Sequence, residues 1–157
     1  MPSARHLIPT ALATAACAVV GSKATASSVG SDWYEDLAKP SFQPPSWAFP
    51  VAWTALYTDI AVTTAAALDD LEPAQRRRLA VALGVNLALN AGWCWMFYGR
   101  REIAAAVPVA VALAVSSADL VRRVGSARGG LGVALSPYAV WTAFASALNM
   151  AIVDLNS

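Results

Sequence analysis

Charge is scarce in this sequence. Asp, Glu, Lys and Arg make up only 13% of its 157 residues, against about 25% in a soluble domain, too few to cover the surface of a fold this size. Eleven basic and ten acidic residues leave a net charge of +1, so there is no basic field to hold nucleic acid. Histidine occurs once (His6) and cysteine twice (Cys17, Cys94). This inventory excludes a zinc cluster of the usual kind, a disulfide framework and any serine–histidine centre away from the N-terminus. The cysteines read as two buried thiols and do not report the compartment. Alternation with period two is absent, which argues against a transmembrane barrel. No internal repeat or low-complexity linker is present. Apolar residues are abundant, at 57% with mean hydropathy +0.50. The composition is that of a membrane protein.

The charges cluster, and the stretches between clusters suit spans of about 20 residues. Five are expected, over 7–26, 47–68, 79–99, 103–121 and 131–153, with a long loop at 27–46. Their Ala, Val and Leu content makes them helices, because backbone groups in lipid must be satisfied within the segment. The expected fold is an all-α integral membrane bundle of five helices in one domain. Arg5, the run from Leu7 to Val20 and Ala24-Thr25-Ala26 also imitate a signal peptide with its cleavage site. With the N-terminus inside, seven basic residues fall on the inner side: Arg5, Arg76, Arg77, Arg78, Arg122, Arg123 and Arg128. Four fall outside: Lys23, Lys39, Arg100 and Arg101. That bias places the C-terminus and the long loop outside.

The long loop carries Trp33-Tyr34, Lys39-Pro40, Pro44-Pro45 and Trp47 through Pro50. Its prolines fix φ, so it should fold back over the bundle along a rigid path, with Pro44 and Pro45 where a helix begins. Aromatic residues here also suit an interfacial belt. Three helix faces give the aromatics a second role. Trp53 and Tyr57 share a face with Phe49 and Pro50 on the second span. Asn86, Asn90, Trp93 and Phe97 lie on one face of the third, and Tyr138, Trp141, Ala145 and Asn149 on one face of the fifth. Amides in a membrane interior need partners, so the asparagines should point inward. The three faces converge on the chemistry of a pocket for a flat apolar molecule with a few polar handles.

In these motifs the chain resembles the translocator protein family, also called tryptophan-rich sensory proteins, TspO/MBR or peripheral-type benzodiazepine receptors. The resemblance rests on Trp33-Tyr34 through Leu37, Lys39-Pro40, Pro44-Pro45-x-Trp47 and Val51-x-Trp53-x-x-Leu56-Tyr57. It continues in Leu89-Asn90-x-x-Trp93 and in Pro137-Tyr138-x-x-Trp141-x-x-Phe144-Ala145-x-x-Leu148-Asn149. It spans nearly the whole chain from Trp33 onward, and the first helix is matched by hydropathy alone. It implies that the first helix is retained in front of the loop. It also implies a five-helix receptor or sensor that binds porphyrins, and often sterols and synthetic aromatic ligands, beneath the first loop. The implied contacts are Trp47, Phe49, Trp53, Tyr57, Asn90, Trp93, Trp141 and Ala145. Trp53 and Trp141 would be aromatic walls, Asn90 the polar handle and Ala145 the small residue that leaves room. No metal or further cofactor is required. Light-dependent porphyrin breakdown in some members would involve Trp53 and Trp141, with no other catalytic candidate.

Two features depart from the family. The terminal sterol motif needs a Tyr and a basic residue after Leu148, where this chain has Asn149, Met150 and Asp154. Asp59 lies mid-span, about 200° round the helix from Tyr57 and so off the pocket face; an acid there suits a proton or cation site, but with no buried basic partner in any span the favoured reading is a protonated acid bonded to a neighbouring helix. A porphyrin carrier is the second reading, although repeat symmetry is missing, and an enzyme the third. On the third span Ala80, Gly84, Ala88 and Gly92 form a small-residue stripe suited to a homodimer, and the resembled family dimerises. The fourth span has a rival stripe in Ala106, Ala110, Ala114 and Ala118. Nine Arg against two Lys, with abundant Ala, point to a GC-rich bacterium and its cytoplasmic membrane; a mitochondrial outer membrane is the eukaryotic alternative.

Overall fold

The computed structural model describes all 157 residues and contains helices and no strand. The long helices are α1 (Ala4–Ala26), α3 (Ala48–Asp70), α4 (Pro73–Cys94), α5 (Ile103–Ala127) and α6 (Gly129–Leu155), with a short α2 (Asp32–Asp36) in the first loop. A π-helical turn, Trp95–Gly99, extends α4. Five segments are long and apolar enough to cross a membrane, so the protein is an integral membrane protein. The helices outrun the expected spans because their charged ends continue the same helix beyond the apolar run. Arg122 and Arg123 both hold Asp119, at 2.6 Å each, within the last turns of α5. Arg76 ties α4 back to the end of α3 through the Leu68 and Leu71 carbonyls, at 2.8 and 2.9 Å.

α3 begins at Ala48, later than Pro44 and Pro45 suggest. Pro50 falls in its first turn, where a missing N–H breaks no helical bond. Pro137 interrupts α6 and cannot bond the Val133 carbonyl, but the neighbouring Ser136 hydroxyl donates to it at 2.7 Å. Such repair is how a bilayer-spanning helix tolerates proline.

Around the bundle the order is α1, α3, α6, α5, α4. The α5–α6 pair forms a tight hairpin joined at Arg128. A Cβ built on Gly132 would lie 2.8 Å from the Gly125 Cα and 3.2 Å from the Val121 carbonyl oxygen, so glycine is what permits the backbones to approach this closely. Half of the rival alanine stripe belongs to this interior: Ala106 and Ala110 are buried, Ala114 is half-buried and Ala118 is exposed. In contrast, Ala80, Gly84, Ala88 and Gly92 are exposed on the outer face of α4, and Cβ atoms at Gly84 and Gly92 would meet nothing. Asp59 is half-buried in the middle of α3, and its carboxyl lacks the hydrogen bond to a neighbouring helix expected of it.

Candidate functional site

The bundle encloses a cavity of about 580 Å³ between α1, α3, the end of α4 and α6, beneath the first loop. That volume lies in the usual range for small-molecule sites, about 300–1,000 Å³. α5 contributes nothing to the lining.

The walls are aromatic. Trp53 stacks on Tyr57, one helical turn away, with ring centroids 5.4 Å apart and planes at 29°. Trp141 meets Trp53 edge-on at 6.3 Å and Phe49 at 6.0 Å. Opposite, the π-turn brings Phe97 and Tyr98 to the lining together with Trp93 and Cys94. An α-helix would spread these residues further round its axis. The wide turn closes through Arg100 N–H to the Trp95 carbonyl at 2.7 Å, and such turns recur at functional sites. The Trp93 indole N–H donates to Asn149 Oδ1 at 3.1 Å, and the Asn149 amide donates to the Ile103 carbonyl at 2.9 Å. The indole N–H groups of Trp53 and Trp141 meet no protein acceptor, so two donors on lining residues stay free.

Under the cavity a buried polar chain joins all five long helices. The Cys17 thiol lies 3.7 Å from the Tyr57 hydroxyl, which donates to Asn90 Oδ1 at 3.0 Å. The Asn90 amide donates to the Tyr138 hydroxyl at 3.2 Å, which donates to Asn86 Oδ1 at 2.7 Å. The Asn86 amide then reaches Ser116 and Ser117 at 3.2 and 3.1 Å. Each amide uses both ends, which is what burial in lipid demands.

The loop is fastened at several points. Ser31 caps α2, accepting from Tyr34 N–H at 3.4 Å. The Lys39 ammonium donates to the Tyr34 and Leu37 carbonyls and sits 4.5 Å from the centre of the Tyr34 ring. Ala38 and Asn156 exchange two hydrogen bonds, at 3.0 and 2.9 Å, clasping the loop to the end of α6. Phe42 packs edge-on against Phe144. Arg101, held in the left-handed region at φ 60°, places its guanidinium 5.3 Å from the Trp33 ring centre. Tyr34 lines the cavity, and burial pushes its pKa up from the usual 10.0, so its hydroxyl is neutral.

Six of the eight expected contacts line the cavity: Phe49, Trp53, Tyr57, Trp93, Trp141 and Ala145. Trp47 and Asn90 do not. Trp47 precedes α3 with helical dihedrals and is 69% exposed; it lies about 200° from Phe49, so the two cannot share a face. Asn90 is fully buried one layer below, where Tyr57 and Tyr138 occupy its amide. Sequence reasoning missed Cys94, Tyr98 and Gln43, and the α1 wall of Ala18 and Gly21. Small apolar residues on a helix matched only by hydropathy give no signal for such a role.

The TspO/MBR family model matches residues 10–155. The chain is 36% identical to Protein CrtK of Rhodobacter capsulatus over 90% of its length and 88% of that protein's. It is 30% identical to the tryptophan-rich sensory protein of Cereibacter sphaeroides, over 80% and 77% of the two chains. With the translocator protein of Homo sapiens it shares 30% identity over 78% and 74%.

Proposed function

Because the chain belongs to the TspO/MBR family, we propose that it is a membrane receptor or sensor that binds a porphyrin or a related flat hydrophobic molecule in this cavity. The observation that carries the proposal is the pairing of Trp53 and Trp141 at 6.3 Å on the wall of a 580 Å³ space. The rings offer stacking surface, and their free indole N–H groups offer donors to a carbonyl or carboxylate at the edge of a macrocycle. Phe49, Tyr57, Trp93 and Ala145 complete the contacts. Asn90 acts from below by holding Tyr57, and no cofactor besides the ligand is needed. The test is titration of the purified protein with protoporphyrin, read as quenching of tryptophan fluorescence. Saturable quenching supports binding, and its absence refutes it. Movement of porphyrin across sealed vesicles would mark a carrier, and a modified product in light an enzyme that uses Trp53 and Trp141.

In this reading the loop is a lid. Amide hydrogen exchange from Trp33 to Trp47 should be slow, and slower still with saturating protoporphyrin. Fast exchange that ignores the ligand would make the segment a passive linker.

The proposed setting is a bacterial cytoplasmic membrane, with the N-terminus inside and the C-terminus and lid outside, on the arginine bias between the two ends of the bundle. The proposed assembly is a homodimer through α4. Ala80, Gly84 and Ala88 lie exposed there, and the space around Gly84 admits a second helix at close range. Gly84→Leu should shift the detergent-solubilised protein to monomer in light scattering while porphyrin binding persists. A variant that stays dimeric would place the interface elsewhere.

A further inference from the structure

We infer that the ligand enters the cavity sideways from the bilayer, through a gap between α1 and α3 in the half of the membrane nearest the lid. The inference rests on the ligand reading above and deepens it: the natural ligand is one that dissolves in lipid.

The seam between α1 and α3 is closed at one end only. Starting from the N-terminus, Ser3 N–H donates to Asp69 at 2.6 Å and His6 Nδ1 lies 2.6 Å from the same carboxylate. The Thr10 hydroxyl donates to the Ala61 carbonyl at 2.9 Å, and Cys17 contacts Tyr57. Beyond Cys17 no hydrogen bond joins the two helices, because α1 leans away onto α4. A Cβ on Gly21 would lie 3.3 Å from the Cys94 sulfur, and the Ser28 hydroxyl donates to the Tyr98 carbonyl at 2.5 Å.

α3 records the divergence along one stripe. Ala61, Ala65 and Leu68 are buried, whereas Pro50, Thr54 and Thr58, on the same side of the helix, are exposed. Pro50 and Thr54 also line the cavity, as does the exposed Ser22 across the gap. The gap therefore runs along about 12 Å of helix, from Pro50 to Thr58. Its edge is chemically suited to lipid: the Thr54 and Thr58 hydroxyls turn back onto the Pro50 and Thr54 carbonyls, at 2.7 and 2.9 Å, which leaves their methyl groups to face outward. On the aqueous side the lid lies over the cavity, clasped to the end of α6 through Asn156.

The test uses the full chain in lipid nanodiscs, with protoporphyrin as probe and stopped-flow fluorescence as readout. Thr58 marks the end of the gap away from the lid and is not in the cavity lining. Side chains on a helix tilt toward its N-terminus, so Thr58→Phe leans across the opening. It should slow association and dissociation together at least fivefold, with Kd within twofold, and Thr58→Val should do neither. Asn156→Ala, which loosens the lid, should leave both rates within twofold. In the unsubstituted protein the association rate should follow porphyrin per lipid, not aqueous concentration. Acceleration by Asn156→Ala, indifference to Thr58→Phe, or a rate that tracks the aqueous concentration would overturn the lateral route while leaving ligand binding intact. Absence of quenching in every protein would overturn the ligand reading and this inference with it.

Discussion

Trp53→Ala or Trp141→Ala should weaken protoporphyrin binding by about 1–3 kcal/mol, roughly five- to 150-fold in Kd, the range for losing a large buried aromatic surface. Each ring leans on the other and on a second aromatic: Trp53 stacks on Tyr57, and Trp141 meets Phe49. Either truncation removes a wall and loosens its partner, so the double variant should lose less than the sum of the singles. Trp95→Ala is the control. Trp95 is 46% exposed, outside the cavity and about 200° from Trp93, and its loss should leave Kd within twofold. Equal losses for Trp53 and Trp95 in a titration would refute the assignment of the wall.

Tyr138→Phe should lower stability by about 1–3 kcal/mol, the cost of stranding buried polar partners, while the folded protein keeps its porphyrin affinity. The Tyr138 hydroxyl is the central link of the polar chain, donating to Asn86 and accepting from Asn90. Without it, Asn86 Oδ1 and the Asn90 amide, one turn apart on α4, are left with no partner in a fully buried layer. Tyr138 does not line the cavity, so stability and affinity should separate. Denaturation in mixed micelles, followed by circular dichroism, measures the first, and quenching the second. Unchanged stability would mean that the two asparagines find other partners and that the chain is not a structural tie.

Much of this was legible because lipid narrows the options. Scarce charge and five apolar stretches already required helices, and the helices lie where the stretches do. The inward faces were equally legible: Trp53 with Tyr57 on α3, and Trp141 with Ala145 on α6, stand at helical spacing and both pairs reach the cavity. Asn90 shows where spacing alone stops short. Spacing places it on the same face as Trp93, but depth along that face decides between lining and floor, and depth depends on how far α3 and α6 slide against α4. Trp47 stands outside the lining for a different reason: only the resemblance put it there, and the helical register that begins at Trp47 turns it about 200° from Phe49. The π-turn at Trp95–Gly99 was invisible, because helical periodicity assumes a constant turn. It is this turn that adds Tyr98 to the site. The role of α1 was hidden too, since its contribution is the divergence from α3 and no distinctive side chain marks it.

The central claim is that the space under the lid, between Trp53 and Trp141, holds the ligand. The most direct measurement is an experimentally determined structure of the full chain with protoporphyrin in a lipid environment. The macrocycle should lie in van der Waals contact with both indoles, above Tyr57, with the Ala38–Asn156 clasp closed over it. A macrocycle on an outer face of the bundle, against α4 or α5 and with the cavity empty, would contradict it.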